Sequence, residues 1–219
     1  MKKIIGVGLV ALGLGAGGYF GFVKYRESQL IAAMSPLVKN GSIRINDAML
    51  VEVDPGNITF GEAIKKLDEN TSEIDKKIIE LQSLDAAAAP GMQQASVEYL
   101  RAGQSLTRSL AGLTRKSLAL SSARTRSDDE MADLRAASGY SVEYALKSAR
   151  RANEALKQAG VEYYQQFPEV CGAAKVFKEQ RGKLVKSGAT EDVINLMNLD
   201  KLVNTCKKDD SKDKADSKS

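Results

Sequence analysis

Apolar positions divide this chain into two regimes: an unbroken apolar run at the start, then long stretches in which apolar residues recur at alternating intervals of three and four. The alternation is clearest between Asn57 and Asp85, where Phe60, Ile64, Leu67, Thr71, Ile74, Ile78 and Leu81 keep it without a break. An α-helix turns once in 3.6 residues, so this spacing gathers the apolar side chains into one narrow stripe. Such a heptad seam predicts a helix buried against partner helices. The turn Asp54, Pro55, Gly56, Asn57 precedes it, and Thr59 with Glu62 forms a capping box at its start. Ala86 to Ala89 and then Pro90 end it, because proline bars the α conformation at the residue before it and is itself suited to open the next helix.

A second helix is expected from about Gly91 to Arg126, with Tyr99, Gly103, Leu106, Leu110, Leu113, Ser117 and Leu120 on its seam. Ser127 with Glu130 reads as another capping box, and Asp128 and Asp129 add negative charge where a helix dipole is positive. A third helix is therefore expected to start at Ser127 and to run to about Phe167, where Pro168 stops it. Its face carries Met131, Leu134, Ser138, Val142, Ala145, Ala149, Ala152, Leu156, Ala159 and Tyr163, so a partner backbone should pack closely against alanine. Helices of this length predict a rod rather than a globe. Tyr99, Tyr140, Tyr144, Tyr163 and Tyr164 read as packing residues near helix ends or seams.

Two cysteines, Cys171 and Cys206, bracket a shorter pair of helix-like stretches that meet at Ser187, Gly188, Ala189 and Thr190. Gly188 suits a C-cap and Thr190 an N-cap. The cysteines lie at nearly equal distances before and after Gly188, so an antiparallel fold of the two stretches brings both sulfurs to the open end, as a disulfide requires. A disulfide there implies an oxidising compartment.

The stretch from Tyr25 to Val53 is less regular. Residues from Glu27 to Lys39 extend the opening helix as far as Pro36 or Gly41, and Ile43, Ile45, Leu50, Val51 and Val53 suggest a short hairpin or loop. Lys207 to Ser219 offers nothing to bury and reads as a disordered charged tail.

At the start, Lys2 and Lys3 precede an uncharged run from Ile4 to Val23, closed by Lys24 and Arg26. Twenty helical residues reach about 30 Å, the hydrocarbon thickness of a bilayer. A secretory leader would need a cleavage site among the small residues at positions 13 to 18, but the run stays apolar to Val23, which favours an uncleaved anchor. Gly13, Gly17 and Gly21 repeat on one face of that helix and form a candidate groove for close helix packing in the membrane. Positive charge nearly balances across the run, so the cysteines decide the orientation and place the body outside the cytoplasm.

The expected fold is therefore all-α: an N-terminal transmembrane signal-anchor helix (1–26), a juxtamembrane connector (27–56), an elongated antiparallel helical bundle closed by a C-terminal disulfide-linked helical hairpin (57–206), and a disordered tail (207–219). Composition agrees, with 43% hydrophobic and 27% charged residues, four prolines and no tryptophan over 219 residues.

Chemistry finds little to work with. The chain has no histidine, which removes imidazole-assisted nucleophiles and histidine metal sites, and no nucleotide-binding or nucleophile-elbow pattern occurs in the body. The expectation is a protein without catalytic, cofactor-binding or metal-binding residues. Arg101, Arg108 and Arg115 recur every seventh residue and form a candidate stripe for an anionic partner, although the acid-rich segment from Asp54 to Asp85 offers internal pairing instead. The modest net charge of +4 and the membrane segment argue against nucleic acid. The partners expected are the lipid bilayer and either another envelope protein or a second copy. The expected role is binding or scaffolding from a single-pass position in a bacterial inner membrane with a periplasmic body, or as a soluble periplasmic or secreted protein if the leader is cleaved. The alternative is a bundle that senses a small molecule and signals through a membrane partner.

Overall fold

A computed structural model describes residues 2–51, 58–87, 89–188 and 199–206, with side chains from Lys24 onward. The described residues form helices and no strand: α1 (Lys2–Met49), α2 (Phe60–Ser83), α3 (Pro90–Ala136) and α4 (Ser141–Lys186), followed by a fifth helical segment, 199–206. At about 1.5 Å per residue, the 47 residues of α3 and the 46 of α4 each extend about 70 Å.

Local chemistry sets the boundaries. Glu62 N–H donates to Thr59 Oγ1 at 3.2 Å and Thr59 N–H donates to Glu62 Oε2 at 2.9 Å, so the capping box starts α2 as its sequence predicts. The Thr59 N–H and the Thr59 hydroxyl, both donating to Glu62 Oε2 at 2.9 Å, hold the Glu62 carboxyl below the usual carboxylate range. Pro90 opens α3.

The expected helix start at Ser127 is corrected. α3 continues to Ala136, and Ser127 is a buried residue of its seam. A capping residue ends a helix only where the chain can turn, and nothing near Ser127 favours a turn. Gly139 does, with φ of +62°, and there Ser141 Oγ donates to the Ser138 carbonyl at 2.8 Å and accepts from its N–H at 3.1 Å.

Pro168 does not stop α4, nor do Pro36 and Gly41 stop α1. Both prolines are solvent-exposed, so the carbonyls that lose their helical donors face water while the apolar face stays continuous. On α1 that face is Leu30, Met34, Val38, Ile45 and Ala48, all buried. The hairpin or loop expected around Ile43 and Ile45 is replaced by helix: Gly41 and Ser42 occupy seam positions that hydrophobicity alone does not mark.

The helices pack α1 along α3, α2 antiparallel to α3, and α4 antiparallel to α3. The core holds Met34 and Ile45 of α1, Ile74, Ile78 and Leu81 of α2, Tyr99, Leu100 and Leu106 of α3, and Val170, Phe177 and Leu184 of α4. Close approach of α1 to α3 depends on glycine. A Cβ on Gly103 would overlap Ile45 Cδ1, and one on Gly41 would lie 2.6 Å from Leu100 Cδ2. Leu199, Val203 and Cys206 are buried on one face of the final segment, and Lys178 donates to Asp200 at 2.7 Å beside them. Cys171 and Cys206 form the expected disulfide, with 5.6 Å between their Cα atoms.

Among the described residues no helix is long and apolar enough to cross a membrane. The side chains of the run 4–23, including those at Gly13, Gly17 and Gly21, lie outside the described residues, as do the turn before Thr59, the Thr190 cap and the tail 207–219.

Candidate functional site

Two cross-helix ion pairs fix how far each helix reaches. Arg115 Nη2 donates to both Asp68 oxygens at 2.7 Å, which sets α2 against α3, and Lys116 Nζ lies 2.7 Å from Glu162 Oε2, which sets α4 against α3. Lys116, with a second bond from Gln158, holds the Glu162 carboxyl below the usual carboxylate range. Counting along the antiparallel helices from Asp68, the first residue of α2 stands level with about residue 123 of α3. α1 ends sooner, with Ala48 against Leu67 and Ala111. Beyond that level, about four turns of α3 and four of α4 have only each other among the described residues, and they form a two-helix stalk that projects from the four-helix waist.

The stalk is zipped by small side chains. On α4 Ala145, Ala149 and Ala152 are buried, as the alanine periodicity predicts, and they face Ala123, Ser127, Glu130 and Leu134 of α3. A seam of alanine brings backbones close but leaves larger apolar residues beside it uncovered. Met131 is 39% exposed, Leu146 38% and Val142 41%, while Tyr144 is 79% exposed and Tyr140, in the turn, is fully exposed. Soluble chains do expose single apolar residues, but five large ones fall here within about four turns, with Leu146, which follows Ala145, and Tyr144, which precedes it, on opposite sides of the seam. Tyr140, Tyr144 and Tyr164, expected as packing residues near helix ends or seams, are exposed instead, and only Tyr99 of the chain's described tyrosines is fully buried.

The basic stripe of α3 is divided. Arg115 is held by Asp68, whereas Arg101 and Arg108 are exposed and make no ion pair with a described residue. Gln104 joins the same α2–α3 face through Asp75 at 3.0 Å.

At the waist, the Tyr99 ring stacks on Phe177 with centroids 5.1 Å apart, and its hydroxyl lies 3.0 Å from Ser42 Oγ. Burial pushes the Tyr99 hydroxyl up to about 12, against the opposing effects of the Ser42 bond and the Arg181 charge. At the same level Ser96 Oγ, Gln180 Oε1 and Arg181 Nε are buried without a hydrogen-bond partner among the described residues. Sequence periodicity could not locate these polar groups, because serine and glutamine in a seam resemble solvent-facing residues. Among the described residues no three His, Cys, Asp or Glu side chains converge to hold a metal ion.

Comparison of the chain with known protein families, with curated proteins and with solved structures finds no match.

Proposed function

We propose that this protein is a membrane-anchored, extracytoplasmic helical bundle that works by contact, binding or scaffolding an envelope component through its stalk, and that it carries out no catalysis. The observation that carries this reading is the exposure of Met131, Val142, Leu146, Tyr140 and Tyr144 on a two-helix projection that no other part of the described chain covers. Large apolar and aromatic residues at the end of a rigid support are the usual anchors of protein contacts.

The apolar run from Ile4 to Val23 with flanking lysines and Arg26 supports an anchor, and Gly13, Gly17 and Gly21 would give that anchor a face for another helix. The Cys171–Cys206 bridge supports an oxidising compartment, in bacteria the periplasm. With α1 running parallel to α3 and Gly41 level with Leu100, the anchor leaves the waist at the end opposite the stalk, so the tip would stand about 80 Å out from the bilayer. Arg101 and Arg108 remain a second candidate surface, for an anionic partner.

Placing a photo-cross-linking amino acid at position 140 or 144 in the native membrane tests the reading. Partner-dependent adducts at the tip, absent from a control on the solvent face of α2 such as Glu69, are expected. Full extraction of the protein by alkaline carbonate would sink the anchor, and tip positions no more reactive than the control would sink the contact.

A second reading, a small-molecule sensor, is favoured by Ser96 Oγ, Gln180 Oε1 and Arg181 Nε in the waist, which have no partner among the described residues and which a polar ligand could satisfy. A melting-temperature screen with small polar metabolites tests it, because a ligand of the folded state raises the midpoint.

A further inference from the structure

One face of the stalk has charges arranged so that the surface complements itself. Seam residues on α3 here are Ala123, Ser127, Glu130, Leu134 and Ala137; on α4 they are Ala145, Ala149 and Ala152, and Val142 continues their spacing at the exposed end of the helix. Met131 and Leu146 each immediately follow a seam residue. In an antiparallel pair, the positions following the inner seam residues of both helices lie on the same side, so Met131 and Leu146 sit together on one face.

Asp128 and Arg135 bracket Met131 seven residues apart, and Glu143 and Arg150 bracket Leu146 in the same way. All four charged residues follow seam positions as well, and all four are exposed. The Lys116–Glu162 pair sets the register, which puts Asp128 level with Arg150 and Arg135 level with Glu143. Negative and positive therefore alternate around a rectangle with Met131 and Leu146 at its centre. None of the four makes an ion pair with a described residue, although Lys–Glu, Arg–Asp and Lys–Asp pairs form elsewhere in the chain.

We infer that this face docks a second copy of the chain, with the two stalks parallel and forming a four-helix bundle. A two-fold axis along the stalk lays α3 of one copy on α4 of the other at the same level. Asp128 then meets Arg150 of the second copy, Arg135 meets Glu143, and Met131 packs on Leu146, each contact occurring twice. A two-fold axis across the stalk would also match the charges, but it would point the two anchors in opposite directions. The parallel choice thus rests on the membrane anchor proposed above. Arg124 and Lys157, on the same side nearer the waist, bring like charges together and limit the contact to the outer turns.

Two helices about 10 Å wide over about 20 Å of length offer roughly 400 Å² on each copy, half of a standard interface. The dimer should therefore be weak when the protein is diluted and should depend on co-anchoring in one membrane, which raises the local concentration.

Paired cysteine and charge-swap variants of the full chain test this in its native membrane. Cys171 and Cys206 are bonded to each other, so an introduced thiol is the only reactive one among the described residues. Co-expressing M131C and L146C chains should give a covalent dimer of twice the chain's mass, while either chain alone should give little. In detergent-solubilised protein, D128R should raise the dissociation constant about tenfold through two like-charge contacts, and D128R with R150D in the same chain should restore dimerisation. Helix content and the intact disulfide report that each variant is folded.

Homotypic 131–131 and 146–146 dimers would mean antiparallel stalks and overturn the inference, as would D128R without effect. An adduct between the tip and a different protein, with no dimer of this chain, would leave the contact reading standing and overturn the second copy alone. No tip adduct and no dimer would end both.

Discussion

The hydroxyl of Tyr99 on α3 lies 3.0 Å from the Oγ of Ser42 on α1, 57 residues away in the chain. Ser42 donates its one proton to the Val38 carbonyl at 2.8 Å, so Tyr99 is the donor in the bond between them. The two partners are not equivalent. Removing the Tyr99 hydroxyl in Y99F leaves Ser42 still bonded to Val38, whereas S42A leaves a buried tyrosine hydroxyl with no acceptor. Y99F should cost about 1 kcal/mol and S42A about 1–3 kcal/mol in chemical denaturation. The reverse order would mean that Tyr99 finds another acceptor.

The same hydroxyl makes stability depend on pH at the alkaline end. Its value in the folded chain is about 12, against 10.0 for an unburied tyrosine. The folded state therefore keeps a proton that the unfolded chain gives up. The stabilisation is complete below pH 10 and is lost as pH rises through 12, at a limiting slope of about 1.4 kcal/mol per pH unit. The difference between wild type and Y99F isolates the tyrosine. Parallel stability curves for the two between pH 9 and 11.5 would refute the assignment.

Gly103 permits the packing that brings Tyr99 to Ser42. G103A would drive a methyl group into Ile45 Cδ1 and to 3.1 Å from Phe177 Cε2, so it should destabilise by about 1–3 kcal/mol despite alanine's better helix propensity. The contrast is Gly160, which has nothing within 4 Å of its missing Cβ. G160A should stabilise the protein by up to about 1 kcal/mol, and thermal melts of the pair decide the point.

The difference between these two glycines also marks what the sequence could disclose. Large apolar residues at regular spacing, such as Leu67, Ile74, Ile78 and Leu81, reveal a helix and its buried face directly, and all four are buried. The alanine seam of α4 and the Cys171–Cys206 closure were legible for the same reason, since spacing alone determines them. Where the seam is made of Gly41, Ser42 or Ser127, the hydrophobic signal disappears although the packing remains. Breakers misled in the same way: Pro168 and Pro36 sit on solvent faces, where losing one helical bond costs less than burying the flanking residues gains. The stalk could not be read at all, because its exposure depends on where α1 and α2 end relative to α3. Heptads describe which residues pack, but not which turns go without a third helix.

Reducing the Cys171–Cys206 bridge should loosen the final helical segment first. Its residues Leu199 and Val203 are buried, but the segment is short and the bridge closes a loop with a sequence separation of 35. A loop of that length contributes about 3–4 kcal/mol through the unfolded chain. C171S with C206S should lower stability by that amount and expose the amides of 199–206 to hydrogen exchange well before those of α3. Unchanged protection in that segment would mean that Leu199, Val203 and the Lys178–Asp200 pair hold it unaided.

Tyr140 and Tyr144 should behave as the opposite of Tyr99. Truncating Tyr99 to alanine removes a fully buried ring stacked on Phe177 and should cost about 3–5 kcal/mol. Tyr140 and Tyr144 are 104% and 79% exposed, so replacing both with alanine should change stability by less than about 0.5 kcal/mol, within the range of ordinary surface substitutions. Binding should respond in the other direction, with stalk-dependent cross-links falling in the double variant while the melting curve stays in place. That separation matters because a contact surface must be able to lose its partner without unfolding. If the double variant instead lost several kcal/mol, the rings would be packed within the chain in solution, and the stalk would have no aromatic tip to offer a partner.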